Sequence, residues 1–129
     1  MATDIFRFQQ HKYTGLTIEV NSSSSSTWET DINKAKMYTT DGLVGFLYFV
    51  YVCRNAGNET VRIILPDGWK IWDQFGIVVR DRQNGNLITC WVNQQTYNNI
   101  SYASLSTYLH SGTMTVGNTY GASIPLIHE

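Results

Sequence analysis

Charge is scarce in this chain. Asp, Glu, Lys and Arg make up 15% of its 129 residues, and the formal net charge is −1. General nucleic-acid binding needs a concentrated basic surface that displaces counterions, so that partner is set aside. Long apolar runs are also missing. The longest, Leu43 to Cys53, is much too short to cross a bilayer as a helix, and no membrane insertion is expected. The first residues, Met-Ala-Thr-Asp-Ile-Phe-Arg-Phe, lack the basic start and apolar stretch of a secretion signal. Synthesis in the cytosol is expected, or excision from a longer chain.

The residues of catalysis are thinly spread. His11, His110 and His128 stand far apart, with no HxxH, HExxH or CxxC spacing, so no metal and no cofactor is expected. There is no GxSxG, and no glycine-rich loop opens a helix. The acids Glu19, Glu29, Asp31, Asp67, Asp73 and Asp81 show no pattern that marks two of them as a pair. The expectation is a protein that is not an enzyme. Cys53 and Cys90 both fall in apolar strand patterns and read as buried thiols. A disulfide between adjacent strands is the alternative, which the missing secretion signal disfavours.

What is abundant is aromatic, β-branched and small polar. Aromatics reach 13%, and much of the remainder is Ser, Thr, Asn and Gly. That mix suits strands and turns, and the length suits one domain over residues 1–129. Residues 1–13 are weakly patterned and read as a possible arm. Leu16, Ile18 and Val20 alternate with polar residues as in a half-buried strand. Residues 21–27 read as a Ser-rich loop. Trp28–Ile32 and Ala35–Thr40 read as short strands, and Asp41-Gly42 as a tight turn. Asn55-Ala56-Gly57-Asn58 reads as a hairpin turn. Val61 to Leu65 is an alternating strand stopped by Pro66-Asp67-Gly68. Gly76–Arg82 and Leu87–Val92 read as a hairpin about Gln83-Asn84-Gly85-Asn86. Asn93 to Asn99 reads as a polar connection, Met114 and Val116 as a last strand, and Ile124 to Ile127 as a docked apolar tail. The fold class is all-β: a compact antiparallel sandwich or barrel.

Leu43–Cys53 is apolar on both faces. Leu43, Leu47, Phe49, Tyr51 and Cys53 point one way, and Val44, Phe46, Tyr48, Val50 and Val52 the other. A sandwich strand ordinarily wets one face. The second face therefore asks for a cover, read as a contact with another subunit. Recognition is the stronger chemical signal. Trp69, Trp72, Asp73, Trp91, Asn93, Tyr97, Asn98 and His110 lie in or beside expected loops. Flat rings pack on the C–H face of a pyranose, while amide and carboxylate neighbours bind adjacent hydroxyls. Filling of the core is the competing reading for the tryptophans.

Ile63-Ile64-Leu65-Pro66-Asp67-Gly68-Trp69-Lys70, then Ile77-Val78-Val79, Asn84-Gly85-Asn86-Leu87-Ile88, and Gly112-Thr113 through Thr119-Tyr120 form an ordered set. In that order the chain resembles the head domains of tail receptor-binding proteins from phages of Gram-positive bacteria, of the lactococcal-phage type. The likeness spans roughly the last two-thirds of the chain. Ile71 departs from the family's usual proline and Trp69 from its usual tyrosine. The resemblance implies a homotrimeric β head at the virion tail tip, in contact with other tail or baseplate proteins. It also implies binding of host cell-surface saccharide or a teichoic-type polymer. The alternatives are a structural virion assembly protein, in baseplate or capsid decoration, and a cellular lectin or carbohydrate-binding module.

Overall fold

The computed structural model describes residues 10–20, 23–25, 33–40, 42–55, 59–111 and 114–128. Among them are eleven strands and no helix: β1 (Gln10–Leu16), β2 (Ile18–Val20), β3 (Ser23–Ser25), β4 (Lys34–Thr40), β5 (Val44–Val52), β6 (Thr60–Ile64), β7 (Trp69–Lys70), β8 (Phe75–Asp81), β9 (Leu87–Tyr97), β10 (Ile100–Ser111) and β11 (Thr119–His128). All pair antiparallel, in the order β1-β4-β5-β11-β8-β9-β10-β6-β2-β3, with β7 added beside β11.

The two ends of that order meet in one stretch of chain. β1 pairs β4, with Leu16 opposite Ala35, and β2 pairs β6, with Ile18 opposite Ile63. Thr17 between them accepts the Ile64 amide at 3.0 Å. Gln10–Val20 is thus one strand that changes partners midway, and the sheet closes into a barrel. The change falls at an irregularity in register between Tyr13 and Leu16. Gly15 sits there with φ 65°, a conformation that side chains strain to adopt.

Alternation fills the interior. β5 buries Gly45, Leu47, Phe49 and Tyr51 and turns Val44, Phe46 and Tyr48 outward. Met37, Val61, Ile63, Val79, Ile88, Val92, Leu105, Tyr120, Ile124 and Leu126 complete the core from the other strands. Each such side chain withdrawn from water contributes roughly 1.5–3 kcal/mol. Phe49 and Tyr51 stack with centroids 6.2 Å apart. Cys53 and Cys90 are free and buried, and burial pushes their thiols up to about 11 and about 12, which leaves them protonated and inert near neutrality.

The connections at one end carry the polar groups. Residues 53 and 117–118 run side by side, with Cys53 donating to the Asn118 carbonyl and Gly117 to that of Cys53, both at 2.9 Å. The buried Glu59 takes the Arg54 amide at 2.8 Å, and its own amide donates to Thr107 Oγ1 at 2.7 Å. Asp81, also buried, caps the β8–β9 turn. Its carboxylate accepts the amides of Gln83 and Asn84 at 2.9 and 3.3 Å and the Asn118 side chain at 2.9 Å.

Several expectations are corrected here. Leu43 is 64% exposed, because it lies in the turn before β5 begins. The strands on either side of the expected Asn55–Asn58 hairpin do not pair with each other, since β5 pairs β4 and β11 while β6 pairs β10 and β2; residues 56–58 lie outside the described residues. Gln10–Tyr13 is strand rather than arm, and Ser23–Ser25 pairs β2 across from Ile18–Val20. Asn93 to Tyr97 continues β9, because Asn98 and Asn99 supply the positive φ values, 51° and 64°, of a two-residue turn into β10. Met114 to Gly117 forms a connection. The expected tail is instead the interior strand β11, between β5 and β8. Pro125 is tolerated there because β8 pairs β11 only at Tyr120 and Gly121, and β7 only at Ile127 and His128. The expected strand at Trp28–Ile32 and residues 1–9 of the expected arm lie outside the described residues.

Candidate binding face

The Leu-Pro-Asp-Gly-Trp turn is built for folding. The Trp69 amide closes it on the Pro66 carbonyl at 3.1 Å, and Gly68 takes φ 85°. A side chain at Gly68 would collide with the His128 ring. Trp69 is 3% exposed and meets His128 edge-on at 5.0 Å. Its ring therefore belongs to the core, and the expected stacking of this tryptophan on a sugar finds no exposed ring face here.

The other expected site residues separate into distinct places. Trp72 is 81% exposed, in the connection between β7 and β8, with Asp73 and Gln74 exposed beside it. Asp73 Oδ1 takes the Gln74 amide at 2.7 Å. Trp91 and Asn93 lie on the outer face of β9, Trp91 39% exposed and Asn93 half-buried. Tyr97 is at the far end of β9, its ring 6.1 Å from that of Tyr102 and covered by the Arg62 guanidinium at 5.2 Å. Asn98 is in the adjoining turn. His110 is in β10, and its side chain lies outside the described residues. Trp72 and Asp73 line one groove together, and Trp69, Trp91, Asn93 and Tyr97 are not among its lining.

That groove, of about 500 Å³, runs between Trp72, Asp73, Gln74 and Phe75 on one bank and Val44, Pro125, Leu126 and Ile127 on the other. It opens where β11 has lost β8 as a neighbour. At the other end of the same gap lies a second groove of about 640 Å³, lined by Lys36, Tyr38, Tyr48, Val50, Arg80, Arg82 and Gly121 among others. Phe46 stands between the two on β5. Tyr38 and Tyr48 meet edge-to-face at 5.8 Å, and Lys36 and Lys12 lie 5.2 and 5.8 Å from the Tyr38 centroid. The Lys36 hydrogen bond holds the Tyr38 phenol below its ordinary 10.0 against the opposing effect of desolvation, aided by the charges of Lys12 and Lys36.

The second groove was absent from the sequence candidates. Its signal was alternation in two strands, Lys34-x-Lys36-x-Tyr38 and Val78-x-Arg80-x-Arg82, which only acquires meaning once β5 and β11 lie between them. Among the described residues, no three His, Cys, Asp or Glu side chains gather as a metal would require.

The fold and this face define an all-β, antiparallel, nearly closed barrel-like sheet with an aromatic outer wall. No family model and no curated protein matches the chain. Among solved structures it is similar to a reovirus attachment protein, sigma1, in complex with alpha-2,3-sialyllactose, at 14% identity and a TM-score of 0.39, over 97% of this chain and 68% of that one. A likeness at that score transfers neither site nor activity.

Proposed function

We propose that this chain is a non-enzymatic adhesion head that binds host cell-surface saccharide. The observation that carries the reading is Trp72. An indole left 81% exposed forgoes roughly 2–3 kcal/mol of burial, and here it borders a groove with a carboxylate and an amide next in sequence. A ring face beside paired polar groups is what stacking on a pyranose needs. The Pro66–Trp69 turn and its likeness to phage tail heads support a virion tail tip as the setting.

The same proposal includes the trimer. Its contact includes Phe46, 44% exposed on the outer face of β5 between the two grooves. Three copies would turn weak single sites into useful avidity. Trp72→Ala should weaken binding to an arrayed glycan by about 10-fold or more and leave the melting temperature unchanged, since the ring buries little. Undiminished binding by the folded variant would remove Trp72 from the site. Light scattering should give three chain masses, and a stable monomer at micromolar concentration would sink the trimer.

The apolar row Val44, Phe46, Pro125 and Ile127 also favours a second reading, a virion assembly protein that touches only other proteins. An array without hits, with specific pull-down of virion proteins, would decide for it.

A further inference from the structure

Strands β1, β4, β5, β11 and β8 form one continuous wall of the barrel. They contain a single acid, Asp81, and it is turned inward and bound into its turn. Five of the chain's nine Lys and Arg residues stand on this wall or its rim: Lys12, Lys34, Lys36, Arg80 and Arg82. In a chain of net charge −1, that is a marked separation of sign.

The register shows how the cations are spaced. Lys34 lies opposite Val50, Val50 opposite Gly121, and Gly121 opposite Arg80. One row of the wall therefore has a cation at each end and small or apolar residues between. With strands about 4.8 Å apart, the end Cα atoms are about 14 Å from each other, and the Arg80 end of the row lines the groove. Gly121 keeps the floor low: a Cβ there would touch the Phe49 carbonyl at 3.4 Å and Arg82 Cδ at 3.6 Å. The exposed rings of Tyr38 and Tyr48 form the side wall.

We propose that the groove between β4 and β8 binds the anionic group, carboxylate or phosphate ester, of an acidic saccharide, with Arg80 and Arg82 as its anchors. This rests on the adhesion reading for the saccharide, but at a site separate from Trp72. A guanidinium pairs both oxygens of a carboxylate or phosphate, and the groove's lining holds Arg80 and Arg82 with no Asp or Glu among the described residues beside them. The groove volume, about 640 Å³, is in the range of small-ligand sites. Nucleic acid fits less well, because five cations divided between two banks do not make the continuous basic track a phosphate backbone follows.

The test is an NMR titration of the isotope-labelled full chain with three six-unit oligomers: galacturonate, glycerol phosphate and neutral maltose-type glucan. The Gly121 and Ser123 amides should shift saturably with at least one anionic oligomer and not with the glucan. Which oligomer does so tells carboxylate from phosphate. Arg80→Gln/Arg82→Gln should weaken that binding about 10-fold or more, and raising salt from about 50 to about 300 mM should weaken it several-fold. The Trp72 site is read on the arrayed glycan and the anion groove on the salt-sensitive, arginine-dependent shifts, so a failed Trp72 site and a failed anion groove give different results. The proposal is overturned if neither anionic oligomer moves these amides, if the arginine variant binds as well as the parent, or if the neutral glucan shifts them equally. Tighter binding of oligothymidine, with the same arginine dependence, would also overturn it in favour of nucleic acid.

Discussion

Phe49→Ala is expected to cost the folded chain about 3–5 kcal/mol at any concentration, while Phe46→Ala, three residues earlier on the same strand, should cost under about 1 kcal/mol where the chain is monomeric and more only where the proposed trimer is populated. Both remove the same atoms. Phe49 is 1% exposed and stacks on Tyr51, so its loss leaves a void that the surrounding strands cannot fill. Phe46 is 44% exposed, so its loss leaves no void. Urea unfolding of the two variants measures the difference directly. Equal losses would mean that the outward face of β5 is as fully covered as the inward one, as a tight subunit contact would make it. The comparison therefore also reports on the trimer, provided it is made at a concentration where the parent's mass is known.

Asp81→Ala should cost about 2–4 kcal/mol at neutral pH, because it leaves the amides of Gln83 and Asn84 and the Asn118 side chain without their acceptor. The loss should depend on pH. Burial acts to raise this carboxyl, but the Asn118 side chain and the two turn amides outweigh it, and the group stays below its ordinary 3.8. A depressed carboxyl contributes stability above its unfolded value, and that contribution fades as pH falls below about 4 through the folded value. Parent and variant should therefore differ most near pH 7, with the difference shrinking as pH falls below about 4. A difference that held constant over that range would mean that the carboxylate's charge plays no part. Glu59 works with the opposite sign. Burial raises its carboxyl above 4.5, against the hydrogen bonds it receives, so its share of stability declines as pH rises past that value.

The β class, the interior strands and the Asp-Gly and Asn-Gly turns were legible because they depend on neighbours in sequence. Leu47, Phe49 and Tyr51 alternate inward as their spacing requires, and Pro66 ends β6 as its missing amide requires. Two kinds of feature were not legible. One is partner choice: nothing in Asn55–Asn58 says that β6 will pair β10 rather than β5, since the answer lies some 40 residues further on. The other is depth beside a turn. Trp69 and Trp72 share a loop and a composition, but the pairing of β7 with His128 draws one ring inside and leaves the other in water. The second groove was hidden for the first reason. Its cations come from β4 and β8, which meet only because β5 and β11 lie between them.

The strand that changes partners at Gly15 also sets the order of events in folding. Gln10–Val20 locks on one side against Ala35 and Met37, about 20 residues on, but on the other against Ile63, about 45 residues on, and β6 is itself held by β10, about 40 residues further. Local pairs such as β4 with β5 and β8 with β9 can form as they emerge, whereas ring closure must await nearly the whole sequence. Contacts this distant slow folding. Until the last of them forms, the N-terminal strand remains an open edge able to pair with another chain. Refolding yield should therefore fall with protein concentration more steeply than the size of the domain alone would suggest.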